Sequence, residues 1–211
     1  MAEAVQTGSA ADFLPSQLDL SHLREAADSC RGCALYRNAT QTVFGEGPAT
    51  AQVVLVGEQP GDQEDMAGRP FVGPAGHLLD RALEDAGLDR RELYLTNAVK
   101  HFKWEPRGRR RLHRKPSAHE VRACNPWLAA ELSVLRPTVL VCLGVAAATA
   151  VFGRPVRLKD VRSQFSASPL AAETFVTTHP SALLRLRDKQ DWGLEYERLV
   201  RDFQLVRERL G

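Results

Sequence analysis

The 211-residue chain is 44% hydrophobic and 26% charged, a composition typical of a globular protein with one well-buried core. No apolar run approaches the length of a membrane span, and the N-terminus lacks the basic start and apolar core of a secretory signal. These features argue against secreted and membrane-spanning classes, so we expect a cytoplasmic protein with a flexible tail at residues 1–16 and a single domain at residues 17–211.

The hydrophobic pattern predicts four strands separated by helices. Each strand is a short apolar run without alternation, which is typical of parallel strands buried on both faces, whereas the other segments show helical spacing or capping residues. We therefore predict an α/β fold, a three-layer sandwich around a central four-stranded parallel sheet. In chain order, the predicted elements are a helix at 18–29, a strand at 52–56, a helix at 75–86, a strand at 93–96, a helix at 117–135, a strand at 138–143, a helix at 144–152, a strand at 174–178 and a helix at 189–209.

The chain contains four cysteines that could share a metal. Cys30 and Cys33 form a C-x-x-C pair after the first helix, Cys124 lies in a predicted helix, and Cys142 lies in the third strand. Four thiolates could bind a structural zinc ion or an iron-sulfur cluster, and the spacing alone does not choose between them. The alternatives are a redox-active C-x-x-C pair and a small buried hydrophobe at Cys142. Because no fifth cysteine is left over, we favour one shared site.

A stretch rich in glycine and proline, residues 57–76, follows the first strand directly. Five glycines and three prolines in these twenty residues forbid regular helix or strand, so we expect a shaped loop. The loop carries acidic and amide side chains and one aromatic, Phe71, but neither of the glycine-rich phosphate-binding motifs. A solvated acidic connector is the alternative, although a loop this long in a compact domain usually has a function. These residues indicate a ligand that is neutral or becomes positively charged during reaction.

Polar side chains follow three of the predicted strands. The loop from Glu58 to Phe71 follows the first strand, Asn97 follows the second, and His179 follows the fourth. Ligands of open parallel sheets bind beyond the carboxyl ends of the strands, so we expect these three stretches to form one site.

Basic charge is concentrated in residues 100–115, which hold eight Lys or Arg residues against one acidic residue. The same segment contains Phe102 and Trp104, and it begins shortly after the second predicted strand. A solvated run of charge is the alternative interpretation, but interleaved aromatic residues favour contact with a nucleic-acid backbone.

In combination, the motifs resemble those of the iron-sulfur uracil-DNA glycosylases of family four. They are a strand followed by G-E-x-P-G, then R-P-F-V-G-P-A-G, T-N-A-V-K, the C-x-x-C, C, C pattern and H-P-S, and together they span Cys30 to Ser181. Two features resemble the X-type subgroup, whose members cross-link themselves to uracil-containing DNA. These are Gln59 within G-E-Q-P-G-D-Q-E-D and the sequence R-R-R-L-H at residues 109–113, where the subgroup has K-R-R-I-H.

The resemblance implies a uracil-DNA glycosylase fold and a four-iron, four-sulfur cluster on the four cysteines. It also implies a monomer that acts on uracil-containing DNA, single-stranded or double-stranded, and releases free uracil. His113 would bond to C1′ of the sugar, Glu58 would orient it or take its proton, and His179 would donate to uracil O2. The other implied roles are catalysis for Asp62, uracil binding for Gln59, Phe71, Asn97 and Asp65, and DNA binding for Lys100, Arg109, Arg110, Arg111, Arg114 and Ser181.

Two other functions fit parts of the sequence. A conventional glycosylase would release uracil repeatedly, with His113 touching DNA only. A non-catalytic single-strand binder would use the basic segment with Phe102 or Trp104 and would not depend on uracil.

Overall fold

The computed structural model describes residues 8–211, in which strands and helices alternate as the sequence predicts. The strands are β1 (Val53–Gly57), β2 (Tyr94–Asn97), β3 (Trp104–Arg107), β4 (Arg110–His113), β5 (Val139–Leu143), β6 (Phe165–Ser166) and β7 (Thr174–Thr177). The α-helices are α1 (Leu20–Asp28), α2 (Asp62–Ala67), α3 (Pro74–Asp85), α4 (Ala118–Leu135), α5 (Gly144–Phe152), α6 (Leu158–Val161), α7 (Pro180–Leu183) and α8 (Lys189–Leu210). None of these helices combines the length and apolar character that would let it cross a lipid bilayer.

The main sheet has the strand order β2-β1-β5-β7-β6. The first four strands are parallel, as predicted, and the short strand β6 adds an antiparallel edge that the sequence did not indicate. The register places Gly57 beside Asn97 at the carboxyl ends of β1 and β2. The loops that follow β1, β2 and β7 therefore leave the sheet at one edge, where the sequence predicts the site.

The sheet is covered on both faces, so the predicted three-layer architecture is confirmed. Val53 and Leu55 of β1 belong to a core with α3 and α8. Val54 and Val56 belong to a second core with α4 and α5. Alternate residues of one strand thus face two different helix layers, which explains why β1 is apolar throughout.

A third core joins the N-terminal segment and α1 to α4. Ala10 lies in this core with no exposed surface, and a Cβ at Gly32 would approach the Ala10 nitrogen to 2.6 Å. Residues 8–14 therefore pack against the C-x-x-C loop and its core, within the stretch 1–16 that the sequence predicts to be a loose tail. Residues 1–7 lie outside the described part of the chain.

Two elements near the site differ from the sequence prediction. The glycine- and proline-rich stretch contains the short helix α2, which begins where the Glu64 carboxylate accepts the backbone N–H of Gly61. The basic segment folds as an antiparallel hairpin of β3 and β4, in which Trp104 lies opposite His113. We call residues 104–113 the basic hairpin.

Candidate active site

Phe71 occupies a strained position beside the carboxyl end of the sheet. Its φ of 55° is uncommon for a bulky residue, and its side chain is 5% exposed. Arg90 Nη2 donates to the carbonyl oxygens of Pro70 and Phe71 at 3.3 Å each. A Cβ at Gly76 would lie 1.9 Å from the Phe71 carbonyl oxygen, so only glycine permits this close approach of α3. The surrounding chain therefore fixes the Phe71 ring in one place.

Asn97 and Phe71 meet over Gly57. A Cβ built on Gly57 would lie 2.3 Å from Asn97 Oδ1 and 2.8 Å from Phe71 Cζ. The missing side chain thus leaves the space in which an amide and an aromatic face converge. Asn97 is 2% exposed, so its amide is a buried hydrogen-bonding group suited to reading a small planar ligand.

His179 borders the same site with its ring centroid 6.3 Å from that of Phe71. The backbone N–H of Ser181 donates to His179 Nδ1 at 3.1 Å, and the Ser181 hydroxyl lies 2.8 Å from the same nitrogen. Nδ1 is therefore unprotonated, and in the neutral ring Nε2 carries the hydrogen. Burial lowers the pKa of His179 to about 4, and the charges of Arg185 and protonated His113 act in the same direction. His179 is thus a neutral donor at physiological pH.

Gln59 holds His113 of the basic hairpin. The backbone N–H of Lys103 donates to Gln59 Oε1 at 3.0 Å, which identifies Nε2 as the amide NH₂ group. That group donates to the carbonyl oxygen of Arg114 at 2.9 Å and lies 2.8 Å from His113 Nε2. His113 Nε2 must therefore accept, so the neutral ring carries its hydrogen on Nδ1. Gln59, expected to bind uracil, is instead engaged with the hairpin.

Partial burial, rather than the neighbouring charges, favours the neutral form of His113. Partial burial lowers the pKa of His113, the Glu58 carboxylate raises it, and the Arg185 guanidinium lowers it. Among the described residues, Glu58 Oε1 is buried and accepts no hydrogen bond. A buried carboxylate oxygen without a donor is costly, so Glu58 Oε1 is available to a hydrogen-bond donor of a ligand.

Arg111 anchors the basic hairpin to α2. Its Nη1 donates to Asp65 Oδ2 at 2.5 Å and its Nε to Asp62 Oδ1 at 2.6 Å. Asp65 is fully buried and also accepts the backbone N–H of Thr40 at 3.0 Å. Asp65 and Arg111, which the sequence predicts to bind uracil and DNA, thus both hold the hairpin in this structure. Asp62, expected in catalysis, shares this anchoring contact.

The other basic and aromatic residues of the segment divide into exposed and internal groups. Arg109 and Arg110 are exposed around the hairpin turn, and exposed Arg114 pairs with Glu105 at 2.7 Å. Lys100, expected at the DNA surface, is 1% exposed, and this expectation is corrected. Phe102 is buried, with the Arg111 guanidinium over its ring, so it cannot stack on a base.

Arg185 is a site residue that sequence reasoning missed. It lies on the segment after α7, with Nη1 3.4 Å from the Ser181 hydroxyl. Its charge acts on both His113 and His179. The only signal was a basic residue four positions after the serine of H-P-S, which sequence alone does not distinguish from a surface charge.

The structure brings three of the four cysteines together. Cys30, Cys33 and Cys124 share the third core, whereas Cys142 lies near the carboxyl end of β5 within the second core. Cys142 therefore lies apart from the three cysteines with which the sequence predicts that it shares a cluster. Within residues 8–211, no three metal-ligating side chains stand in an arrangement that could already hold a metal ion.

The three grouped thiols have the surroundings of sulfur ligands. The Trp127 indole N–H donates to Cys30 Sγ at 3.2 Å, and the backbone N–H of Lys100 donates to Cys124 Sγ at 3.3 Å. Burial raises the pKa of the Cys124 thiol to about 12, so without a metal it stays protonated. These N–H donors point at sulfur atoms that would become thiolates on metal binding.

His101 lies beside the grouped cysteines and was not singled out from the sequence as a ligand. It is buried and lines a cleft of about 210 Å³ together with Cys30. Thr42 Oγ1 donates to the Ala27 carbonyl oxygen at 3.0 Å and lies 3.0 Å from His101 Nε2. The threonine hydroxyl has one hydrogen, so His101 Nε2–H donates to it and Nδ1 keeps its lone pair.

Comparison with known proteins identifies similar sequences over most of the chain. The family model described as the uracil DNA glycosylase superfamily matches residues 44–204. A type-4 uracil-DNA glycosylase of Pyrobaculum aerophilum is 37% identical over 175 residues, covering 80% of this chain and 86% of that protein. One of Thermotoga maritima is 37% identical over 79% of this chain and 83% of its own length. One of Archaeoglobus fulgidus is 43% identical over 59% of each chain.

Proposed function

Because the chain belongs to the uracil-DNA glycosylase superfamily, we propose that it excises uracil from DNA and bonds covalently to the abasic sugar through His113. The covalent step of this proposal rests on the contact between Gln59 and His113 Nε2. That contact leaves the hydrogen of the neutral imidazole on Nδ1 and directs a lone pair from Nε2. A nucleophile needs such a lone pair, and it is held on a hairpin next to the base site.

Uracil recognition rests on Phe71, Asn97 and the space over Gly57. A base that undergoes chemistry must leave the helical stack, and an aromatic face with a buried amide can hold it. The Asn97 amide matches the donor and acceptor edge of uracil, and a cytosine edge would leave buried groups unpaired.

The glycosidic bond breaks with its electron pair moving onto the base. The bond between N1 and C1′ is lost, the uracil anion carries negative charge on O2, and the sugar becomes electron-deficient at C1′. His179 Nε2–H donates to O2 and stabilises this charge without transferring its proton, because its lowered pKa keeps the ring neutral. The departing uracil anion takes its proton from solvent.

His113 then supplies the electron pair for the new bond. Gln59 releases Nε2, and Nε2 bonds to C1′, which places positive charge on the imidazole. The Nδ1 proton can pass to the unpartnered oxygen of Glu58, leaving a neutral alkylated ring. Each protein molecule is used once in this scheme.

The proposed iron-sulfur cluster uses Cys30, Cys33 and Cys124, with His101 Nδ1 in place of Cys142. When bound, the cluster would supply a cross-link between the C-x-x-C loop and α4. Loading requires these side chains to turn toward one another. The core shared by the three cysteines and the lone pair of His101 Nδ1 in the cleft beside Cys30 support this set over the four cysteines.

A single-stranded oligonucleotide with one uracil, followed by denaturing electrophoresis, tests the proposal. The wild-type protein should give a denaturant-resistant adduct whose modified peptide contains His113. His113→Ala should give none, and His113→Ser should release uracil and leave an abasic site, because it leaves room for water. An adduct that persists in His113→Ala would overturn the covalent step.

The second candidate is a conventional glycosylase that releases uracil many times. The similar proteins favour it, because they are type-4 uracil-DNA glycosylases by name. Uracil release in molar excess over protein, with no adduct, would decide for this candidate. The single-strand binder is disfavoured because Phe102 is buried and the Trp104 indole N–H donates to the Asn38 carbonyl oxygen at 2.8 Å.

A further inference from the structure

Lys100 and Glu131 form an ion pair in the interior of the molecule. Their side chains are 1% and 0% exposed, and Lys100 Nζ lies 2.5 Å from Glu131 Oε2. The ammonium also donates to Thr96 Oγ1 at 2.7 Å and to the Asn97 carbonyl oxygen at 2.9 Å. All three of its hydrogens therefore have acceptors.

The Glu131 carboxylate also has hydrogen-bond partners besides Lys100. Glu131 Oε1 accepts the Tyr94 hydroxyl at 2.9 Å, the backbone N–H of Gly45 at 3.2 Å and the Thr96 hydroxyl at 3.0 Å. A Cβ at Gly45 would lie 2.4 Å from both Tyr94 and Glu131, so the network is closely packed. Its geometry is set by contacts on every side.

Such a pair is poorly explained by stability alone. Removing two charges from water is costly, and well-packed apolar replacements of buried pairs are often neutral or stabilising. The role of the pair therefore lies in what it holds in place. What it holds is the end of β2, where Asn97 leaves the sheet.

Consecutive residues after Asn97 are held by backbone hydrogen bonds to the end of β1 and the residue that follows it. Ala98 N–H donates to the Gly57 carbonyl oxygen at 2.9 Å and Val99 N–H to that of Glu58 at 3.0 Å. Lys100 closes this turn by binding the Asn97 carbonyl oxygen with its side chain. Glu131 lies on α4, so this helix sets where the turn is held.

We propose that Lys100 is a positioning residue for base recognition. Its ammonium, held by Glu131, fixes the Asn97 carbonyl and thereby the direction in which the Asn97 amide enters the space over Gly57. Lys100 itself does not contact the base. This proposal rests on the proposed function, since it assigns a supporting role to the residue that reads uracil.

The test uses the double variant Lys100→Met/Glu131→Gln, which removes both charges and keeps the approximate shape of the side chains. We expect single-turnover uracil release at saturating DNA to fall at least tenfold. Affinity for DNA containing a non-reactive abasic analogue should stay within twofold of wild type. Tyr94→Phe is the matched control, because it removes a hydrogen bond to the same carboxylate without touching Asn97, and its rate should stay within twofold.

A double-mutant comparison separates positioning from general structural support. In an Asn97→Ala background the Lys100→Met/Glu131→Gln change should cause no further slowing, since the amide it positions is gone. The same fold loss in both backgrounds, or a wild-type rate in the double variant, would overturn the proposal. If the double variant does not fold, Thr96→Val serves, because it keeps the ion pair and removes one acceptor of the Lys100 ammonium. It should cause a smaller slowing that must again vanish in the Asn97→Ala background. A wild-type protein that releases no uracil would instead refute the proposed function.

Discussion

Replacing Gly57 with alanine tests the base site at its narrowest point. The added Cβ would lie 2.3 Å from Asn97 Oδ1 and 2.8 Å from Phe71 Cζ, whereas ordinary contacts begin at about 3.4 Å. Asn97 must therefore retreat by about 1 Å, a displacement that can slow an enzyme about 100-fold. The loss of one hydrogen bond to a buried polar edge, about 1–3 kcal/mol, corresponds to slowing of about 5- to 150-fold. The slowing expected from the displacement therefore lies within the range expected from the lost hydrogen bond.

The assay is single-turnover uracil release from an oligonucleotide in excess protein. Gly57→Ala should lower the rate about 10- to 100-fold and leave affinity for an abasic analogue unchanged, because the basic hairpin is untouched. Gly193→Ala is the control, since a Cβ there meets nothing within 4 Å, and it should keep the wild-type rate. A wild-type rate for Gly57→Ala would show that Asn97 and Phe71 do not form the base site.

Three further predictions concern the hairpin, pH and the metal site. Arg111→Met leaves Asp65 buried without its cation, so thermal stability and adduct yield should both fall. Arg111→Met/Asp65→Asn should recover thermal stability but not adduct yield, and equal recovery of both would contradict an anchoring role for Arg111. The pKa of His179 is lowered to about 4 in the folded protein, so as the pH falls below about 6.5 the unfolded chain binds a proton before the folded protein does. The melting temperature should therefore be constant above about pH 6.5 and decline toward pH 4, and the decline should be smaller in His179→Asn. An equal decline in the wild type and in His179→Asn would contradict this origin. After anaerobic purification, the Cys142→Ala protein should keep the iron and sulfide content of the wild type, whereas His101→Ala and Cys124→Ala should lose much of both. Loss of iron in Cys142→Ala would instead show that all four cysteines bind the cluster.

The sheet and the edge that carries the site could be predicted because their signals are local. Apolar runs such as residues 138–143 indicate buried parallel strands, and the residues that follow the strands must share one edge. The short helix α2 was missed because glycine and proline dominate the composition of its stretch, although Gly61 and Glu64 form its N-terminal cap.

Several roles of charged residues could not be predicted because they depend on distant partners. Lys100 counted as surface charge in the sequence, yet it meets Glu131, which lies 31 positions away on α4. Arg111 finds buried Asp65 across the chain in the same way. Cys142 was grouped with the other cysteines by number alone, and only the sheet reveals that it belongs to a different core.

The hydrogen bond between Gln59 and His113 bears on how long such a protein would remain usable. A protein that forms one irreversible bond in its lifetime has no second chance if an aldehyde or another small electrophile reaches its imidazole first. In the resting state the Gln59 amide occupies the lone pair of Nε2, so stray electrophiles find the reactive atom covered. In the proposed covalent reaction, the glutamine that orients His113 would therefore also protect its imidazole until the substrate binds.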